Sequence, residues 1–398
     1  NDPEAEWTSI DRHDSALRLT GLTPELCAAT RYRCAVSAEE LTALSNELVL
    51  DAGQLAEYEI ATLADDSTLD FTYTAENGHC VITGYVGTNR KPVMPSEIGD
   101  LPVTAIADGA FAENTKLQLI TLSEKLTSIG AEAFKGCKYL DSIVIPSGVT
   151  SIGARAFASC GSLAKITFAG RVASIGEDAF YLGGTGSMNY VNISSLEDWL
   201  NIDFATEQST PLHQGNADLY LNGKKLRAVV IPASITAIKP YVFYGAHLTS
   251  VELHDGISSI ATYAFGDCYL ENVVLPTSVK KIETNAFIRC SLLKRIVIPA
   301  SVTSIGEKAV PNTAVIACYA GTAADTFAQA NGNEVEYLSA VPEGLAYSIA
   351  DGACTITQYS GSAAEVVIPE TIEGVPVTAI GDSAFSGCGS LTSISIPD

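Results

Sequence analysis

Apolar residues in this chain recur in a fixed order of strand-like alternation and short interruption. In residues 140–145, Leu140, Ile143 and Ile145 take the positions that a strand sends to one side, and Ser142 and Val144 take the other. Pro146 removes a backbone donor and predicts the end of the strand. Val149 and Ile152 turn inward again, Gly153 predicts a tight bend, and Ala156-Phe157 fill the layer between the outgoing and returning segments. The order then repeats: residues 126–145 read LTSIGAEAFKGCKYLDSIVI and residues 149–168 read VTSIGARAFASCGSLAKITF. Its Phe returns at Phe111, Phe134, Phe157 and Phe180 with a spacing of 23, then at Phe243, Phe265 and Phe287 with a spacing of 22. A unit this small cannot bury its own apolar face, so the pattern predicts a solenoid of short parallel strands, one per repeat, joined by irregular return segments.

Leu-x-x-Ile-x-Ile on this period is the signature of a leucine-rich-repeat solenoid. The fuller wording, I-P-x-x-V-T-x-I-G-x-x-A-F-x-x-C-x-x-L-x-x-I, resembles the BspA-type leucine-rich-repeat family of bacterial cell-surface and secreted proteins, over about residues 70–338 and again from 345. The resemblance implies a curved repeat domain with roles in adhesion or host contact, and an extracellular or cell-surface location.

Departures from the repeat divide the chain. Residues 181–225 form an insertion, with the Gly-rich 183–187, Tyr190-Val191-Asn192-Ile193, and a capping-box pattern at Ser194-Ser195-Leu196-Glu197 that predicts a short helix carrying Trp199. Asn222-Gly223 predicts a tight hairpin turn. Ala309-Val310 stand where another Phe is due, and residues 321–332 read as an amphipathic capping helix with Phe327 on its apolar side and Gly332 near its end. The array thus spans 70–338. Residues 347–391 then reproduce residues 73–117 at a constant offset of 274, so 339–398 reads as the truncated opening unit of a second array in a longer protein. At the other end, residues 1–63, with Tyr32-Arg33-Cys34, look like part of an all-β immunoglobulin-like sandwich with a tyrosine corner, followed by a linker at 64–69. Cys27 pairs with Cys34 or with nothing.

Five cysteines, Cys137, Cys160, Cys268, Cys290 and Cys388, sit three residues after the repeat Phe, and so form a column along the solenoid. Neighbouring strands lie about 4.8 Å apart, within disulfide reach, so Cys137 with Cys160 and Cys268 with Cys290 are the pairs to consider. Buried free thiols, packing as small apolar residues, are the expected state. No C-x-x-C pair occurs, and a column does not gather sulfurs round a zinc ion.

Charge narrows the partners. With Lys+Arg 23 against Asp+Glu 46 the chain carries −23, which disfavours nucleic acid. Residues 1–70 hold 15 acidic and 4 basic residues, nearly half of that total, which leaves the repeats closer to neutral. No run of 18 apolar residues predicts membrane insertion. The five His show no ligand spacing, G-x-S-x-G is absent, and no cofactor is implied. The expectation is therefore a non-catalytic binding module for a protein or glycan on host or neighbouring cells, with a structural spacer displaying another domain as the alternative. If it binds, the residues to watch are the outward Lys165, Arg227, Glu252 and Arg295 with the insertion's Tyr190, Trp199 and Tyr220. Outward strand positions otherwise lack aromatics, which are enriched at protein hot spots.

Overall fold

A computed structural model describes residues 70–398 except 184, 185, 187, 214–216, 339, 397 and 398; before residue 70 it describes only five strands, Ile10–His13, Ala16–Leu19, Arg31–Ala38, Leu41–Val49 and Glu59–Ala61. The first, second and fifth pair antiparallel, and the third and fourth form a hairpin. The side chains on which the immunoglobulin-like reading of 1–63 rests, Tyr32 and Cys34 among them, lie outside the described residues.

From Phe71 onward the chain winds as a solenoid whose rungs have three sides. On the first side, Ser142–Ile145, Lys165–Phe168, Tyr190–Ile193 and Asp218–Leu221 pair in parallel, with Ser142, Lys165, Tyr190 and Asp218 in register. Ile143 and Ile145 are buried while Val144 is 54% exposed, so the alternation read from sequence holds. A second parallel series begins at Asn272–Val274 and continues through Arg295–Val297 and Val315–Cys318 to Val335–Tyr337.

The return segments are not irregular. Ser128–Ile129, Ser151–Ile152, Ser174–Ile175 and Asp203–Phe204 form a second parallel ladder of two-residue strands. The repeated Gly after each Ile is needed for close approach of the rungs: a Cβ on Gly153 would meet the backbone N of Ala131 at 2.4 Å, and one on Gly176 that of Ala154 at 2.5 Å. Gly153 therefore serves contact between rungs as well as the bend, where its carbonyl accepts from Ala156 N–H at 3.3 Å.

The third side, around each Phe, is a ladder of another kind. Around the repeat Phe residues other than Phe180, the residues two before and two after take left-handed backbone, as at Arg155 (φ 52°) and Ser159 (φ 59°), or Asn285 (φ 61°) and Arg289 (φ 58°). This rotates alternate peptide groups so that their N–H bonds point to the following rung. Arg155, Phe157 and Ser159 donate to the carbonyls of Glu177, Ala179 and Tyr181, each at 2.8 Å, and Glu132, Phe134 and Gly136 donate likewise to Ala154, Ala156 and Ala158.

Inside, the Phe rings stack along the axis. Centroids of Phe111, Phe134, Phe157 and Phe180 follow at 4.8, 5.2 and 5.2 Å with planes within 7°, and Phe243, Phe265 and Phe287 repeat this at 5.5 and 5.3 Å. The cysteine column runs beside them. Each thiol donates to the carbonyl of the preceding rung's aromatic residue: Cys137 to Phe111 at 3.1 Å, Cys160 to Phe134 at 3.1 Å, Cys268 to Phe243 at 3.2 Å, Cys290 to Phe265 at 3.0 Å and Cys388 to Tyr359 at 3.3 Å. These five are free thiols, and burial pushes the Cys137 and Cys290 thiols up to about 12.

The array closes on the helix Ala323–Asn331, capped by the Thr322 hydroxyl, which accepts from the Asp325 N–H, and by left-handed Gly332. Ala309 and Val310 stay buried beneath it, and Phe327 packs against the core. The hairpin Leu345–Ala350 and Ala353–Tyr359, with Val375–Ile380 parallel to its second strand, then repeats the order of Phe71–Glu76, His79–Tyr85 and Leu101–Ile106. Its Glu373-Gly374 tip reaches back to the first array, where a Cβ on Gly374 would lie 2.4 Å from Val297 Cγ2. Val297, two residues after the outward Arg295 and so outward by strand alternation, is accordingly buried.

Candidate functional site: a tyrosine and cation patch beside the insertion

The insertion keeps the solenoid's three sides while changing what they display. Tyr190–Ile193 and Asp218–Leu221 extend the first ladder, and Asp203–Phe204 extends the second. On the third side the Gln208 carbonyl accepts from Phe180 N–H at 3.1 Å, and the Thr206 hydroxyl accepts from Asp178 N–H at 3.2 Å. The short helix is Leu196–Leu200, capped by Ser195, one residue later than the Ser194 pattern predicts. Ser194 is held to the strand ladder instead, donating its N–H to Phe168 O at 3.2 Å.

Trp199 lies inward on that helix, 1% exposed, edge-on to Phe168 and Phe204, with its indole N–H donated to Val242 O at 2.8 Å. It offers no face to a ligand. Its role is to tie the insertion to the next rung, because a buried indole N–H requires a partner. Of the insertion's aromatics only Tyr190 and Tyr220 meet on the outer face, with ring centroids 4.2 Å apart and planes at 34°.

What surrounds that pair follows from the turn. Asn222 (φ 49°) and Gly223 (φ 77°) make the predicted hairpin, held by Asn192 Oδ1 accepting from Gly223 N–H at 2.8 Å. The returning strand puts Lys225 opposite Tyr220, and hence Arg227 beside Asp218. Lys225 Nζ lies 2.5 Å from Asp218 Oδ2, and Arg227 lies 3.5 Å from Oδ1 while donating to His247 O at 2.9 Å. His247 Nδ1 is 3.3 Å from Asp218 Oδ1, and its ring stacks on Tyr269 at 4.7 Å. Burial raises the Asp218 carboxyl's pKa, but Lys225, His247 and Arg227 outweigh it and hold the group below the usual carboxylate range. Lys165 is exposed in register with Tyr190 and has no ion pair among the described residues.

The structure therefore gathers Lys165, Tyr190, Tyr220 and Arg227, and adds Asp218, Lys225, His247 and Tyr269. Glu252 is exposed one strand beyond, on Ser250–Glu252, which pairs with Ala228–Val230. Arg295 stands apart: it forms a two-bond pair with Glu336, both at 2.8 Å, next to the Gly374 tip. Among the described residues, no group of three or more His, Cys, Asp or Glu is placed to hold a metal, and no helix is long and apolar enough to cross a membrane.

No curated protein matches the chain. Among solved structures it is similar to a leucine-rich-repeat protein of T. pallidum, at 23% identity over 68% of this chain and 98% of that one, with a TM-score of 0.32. The pneumococcal vaccine antigen PcpA aligns at 17% identity over the same shares, with a TM-score of 0.37. A leucine-rich cell surface protein of Faecalibacterium prausnitzii aligns at 18% identity over 68% of this chain and 94% of that one, with a TM-score of 0.25. Residues 98–205, 216–324 and 358–398, more than half of the chain, match in six copies the family described as the BspA type leucine-rich repeat region. With its Phe stack, its cysteine column and its three-sided rungs, the chain belongs to the BspA-type leucine-rich-repeat family.

Proposed function

We propose that this chain is a non-catalytic recognition module on a bacterial surface or in secreted form, and that it takes its partner, a protein or a glycan on a host or neighbouring cell, at the tyrosine and cation patch. The carrying observation is the patch itself. Two tyrosines share one face with exposed Lys165 and with Lys225 and Arg227, which flank the ionised Asp218, in a chain of net charge −23. Tyrosine gives apolar area together with a hydroxyl at low conformational cost, and exposed cations steer an oppositely charged partner. The repeat family and the open strand face support the same reading; the extracellular location belongs to it.

The test is a binding screen of the folded chain on glycan and matrix-protein arrays, beside a Tyr190→Ala, Arg227→Ala double variant. A hit lost in the variant supports the reading. Binding that the variant retains moves the site elsewhere, and no binding by folded, monomeric protein sinks it.

One observation favours the spacer reading. The Glu373-Gly374 tip sits against Val297, so the following unit covers part of the first array's strand face. Arrays coupled in that way make a stiff rod. In this reading residues 339–398 are a second opening unit set against the first array.

A further inference from the structure

We infer that the ligand of this patch is a negatively charged saccharide, carrying carboxylate or sulfate groups; this rests on the recognition reading and narrows it. Three features of the patch select that chemistry.

The first is shape. The face is a sheet surface on which Thr167 and Asn192, polar and half-buried, stand in register with Tyr220, so polar side chains flank the rings. A protein anchor draws its energy from a desolvated pocket, whereas these rings are partly exposed among polar side chains. A sugar ring needs only an aromatic surface for its C–H face and polar groups around it for its hydroxyls. The Tyr190–Tyr220 pair, partly exposed, supplies the surface.

The second is spacing. Outward side chains on neighbouring strands stand about 4.8 Å apart, the scale of one sugar ring. Lys165, Tyr190 and Asp218 follow one another at that step along the axis, and the hairpin adds Lys225 and Arg227 at the far side. A chain of sugars laid along the axis meets a cation, then the rings, then the carboxylate and the second cation pair.

The third is charge. Lys225 and Arg227 flank Asp218 and Lys165 stands exposed two strands away, so these four groups together carry net positive charge, while the chain as a whole is at −23. Asp218, held ionised by its cations, accepts hydrogen bonds from hydroxyl groups; Arg227 and Lys165 donate to anionic oxygens. An extended acidic protein surface meets the repulsion of the rest of the chain. A saccharide with its charges on short arms engages the patch within about one Debye length, about 8 Å at physiological salt, and feels little of it.

The experiment is calorimetric titration of the whole chain with three probes of equal length: a hyaluronan oligosaccharide (carboxylated), a heparin oligosaccharide (sulfated) and neutral dextran. Tyr190→Ala, Tyr190→Phe, Lys165→Gln and Arg227→Gln are titrated in parallel, each first checked by circular dichroism to be folded at the temperature of the titration. The expected result is binding of one or both anionic probes, weakened by salt and absent for dextran. Arg227→Gln then weakens it about tenfold or more; Tyr190→Ala does likewise, while Tyr190→Phe keeps most of the affinity. Carboxylate or sulfate preference identifies the source of the charge. Anion binding that falls with Arg227→Gln but ignores Tyr190→Ala overturns the inference, because it is charge attraction without sugar recognition. Equal binding of dextran overturns its charge. Binding at the patch by matrix proteins and by no saccharide overturns it and leaves the recognition reading standing; no ligand at the patch in any array removes both.

Discussion

The regular rungs around Phe134 and Phe157 differ from the enlarged rungs of residues 181–230 in what they leave outside. In the regular rungs nearly everything distinctive faces inward: the stacked rings, the thiols and the Ile pairs. The enlarged rungs keep the inner pattern, with Trp199 and Phe204 filling the layer, and spend their additional residues on a hairpin that reverses the strand direction. Reversal is what brings side chains 225 and 227 beside 218 and 220. A pure solenoid can place next to each other only residues one repeat apart, so its outward columns tend toward uniformity. One antiparallel turn breaks that rule and allows a locally mixed surface.

The largest expected effect lies in the regular rungs. Phe157→Ala removes a ring stacked on both sides and should cost about 3–5 kcal/mol, read by chemical denaturation, whereas Tyr190→Ala on the outer face should cost about 1 kcal/mol or less. Equal losses would erase the contrast between the two regions. Next comes Trp199→Phe, which keeps an aromatic ring but strands the Val242 carbonyl at a cost of about 1–3 kcal/mol. If Trp199 couples the insertion to the following rungs, unfolding of this variant loses its single cooperative transition; a preserved single transition would show that the coupling runs elsewhere.

Smaller again is Cys160→Ala, at about 1–2 kcal/mol, since the Phe134 carbonyl loses the thiol. Wild-type thiols of the column should resist thiolate-directed labelling at pH 8 in the native state and all react after denaturation, because burial holds Cys137 and Cys290 at about 12. Rapid native labelling of Cys137 would contradict this packing. The smallest effect belongs to Asp218. Its folded pKa lies below the unfolded value, so its stabilising contribution is complete above about pH 4 and is lost as pH falls through the folded value. The melting temperature of wild type should therefore exceed that of Asp218→Asn at pH 6, and the gap should shrink below pH 4.

The inward half of this architecture was legible because each position repeats: Leu140, Ile143, Ile145, Val149 and Phe157 declare their side by alternation and by recurrence. Asn222-Gly223 and the 323–331 helix were legible from local turn and cap chemistry. The two-residue strands were not, since Ser-Ile is too short for any period to register. Nor was the fate of Trp199, whose partner Val242 lies 43 residues on, or of Val297, covered by Gly374. For the patch, sequence supplied Tyr190, Tyr220, Lys165 and Arg227 separately. Their meeting, and the addition of Asp218 and Lys225, depends on hairpin register. His247 joins the patch without any ligand spacing to mark it; the available signal was its place just before buried Leu248, matching that of Tyr269 before Leu270.

The left-handed residues beside each Phe have an electrical consequence. Alternate peptide groups there all point the same way, carbonyl toward the start of the array and N–H toward its end. Each carries a dipole of about 3.5 D, and in this ladder they add along the axis of the solenoid instead of cancelling as they do in most sheets. The array therefore resembles a bar magnet more than a stack of coins, with an electron-rich pole at its first rung and an electron-poor pole at its last. Any element that closes an end must match the pole it meets, as Thr206 and Gln208 do with acceptor oxygens where the insertion interrupts the ladder. Repeats of this kind can be lengthened or joined in series only head to tail, and a unit inserted in reverse would set like poles against each other.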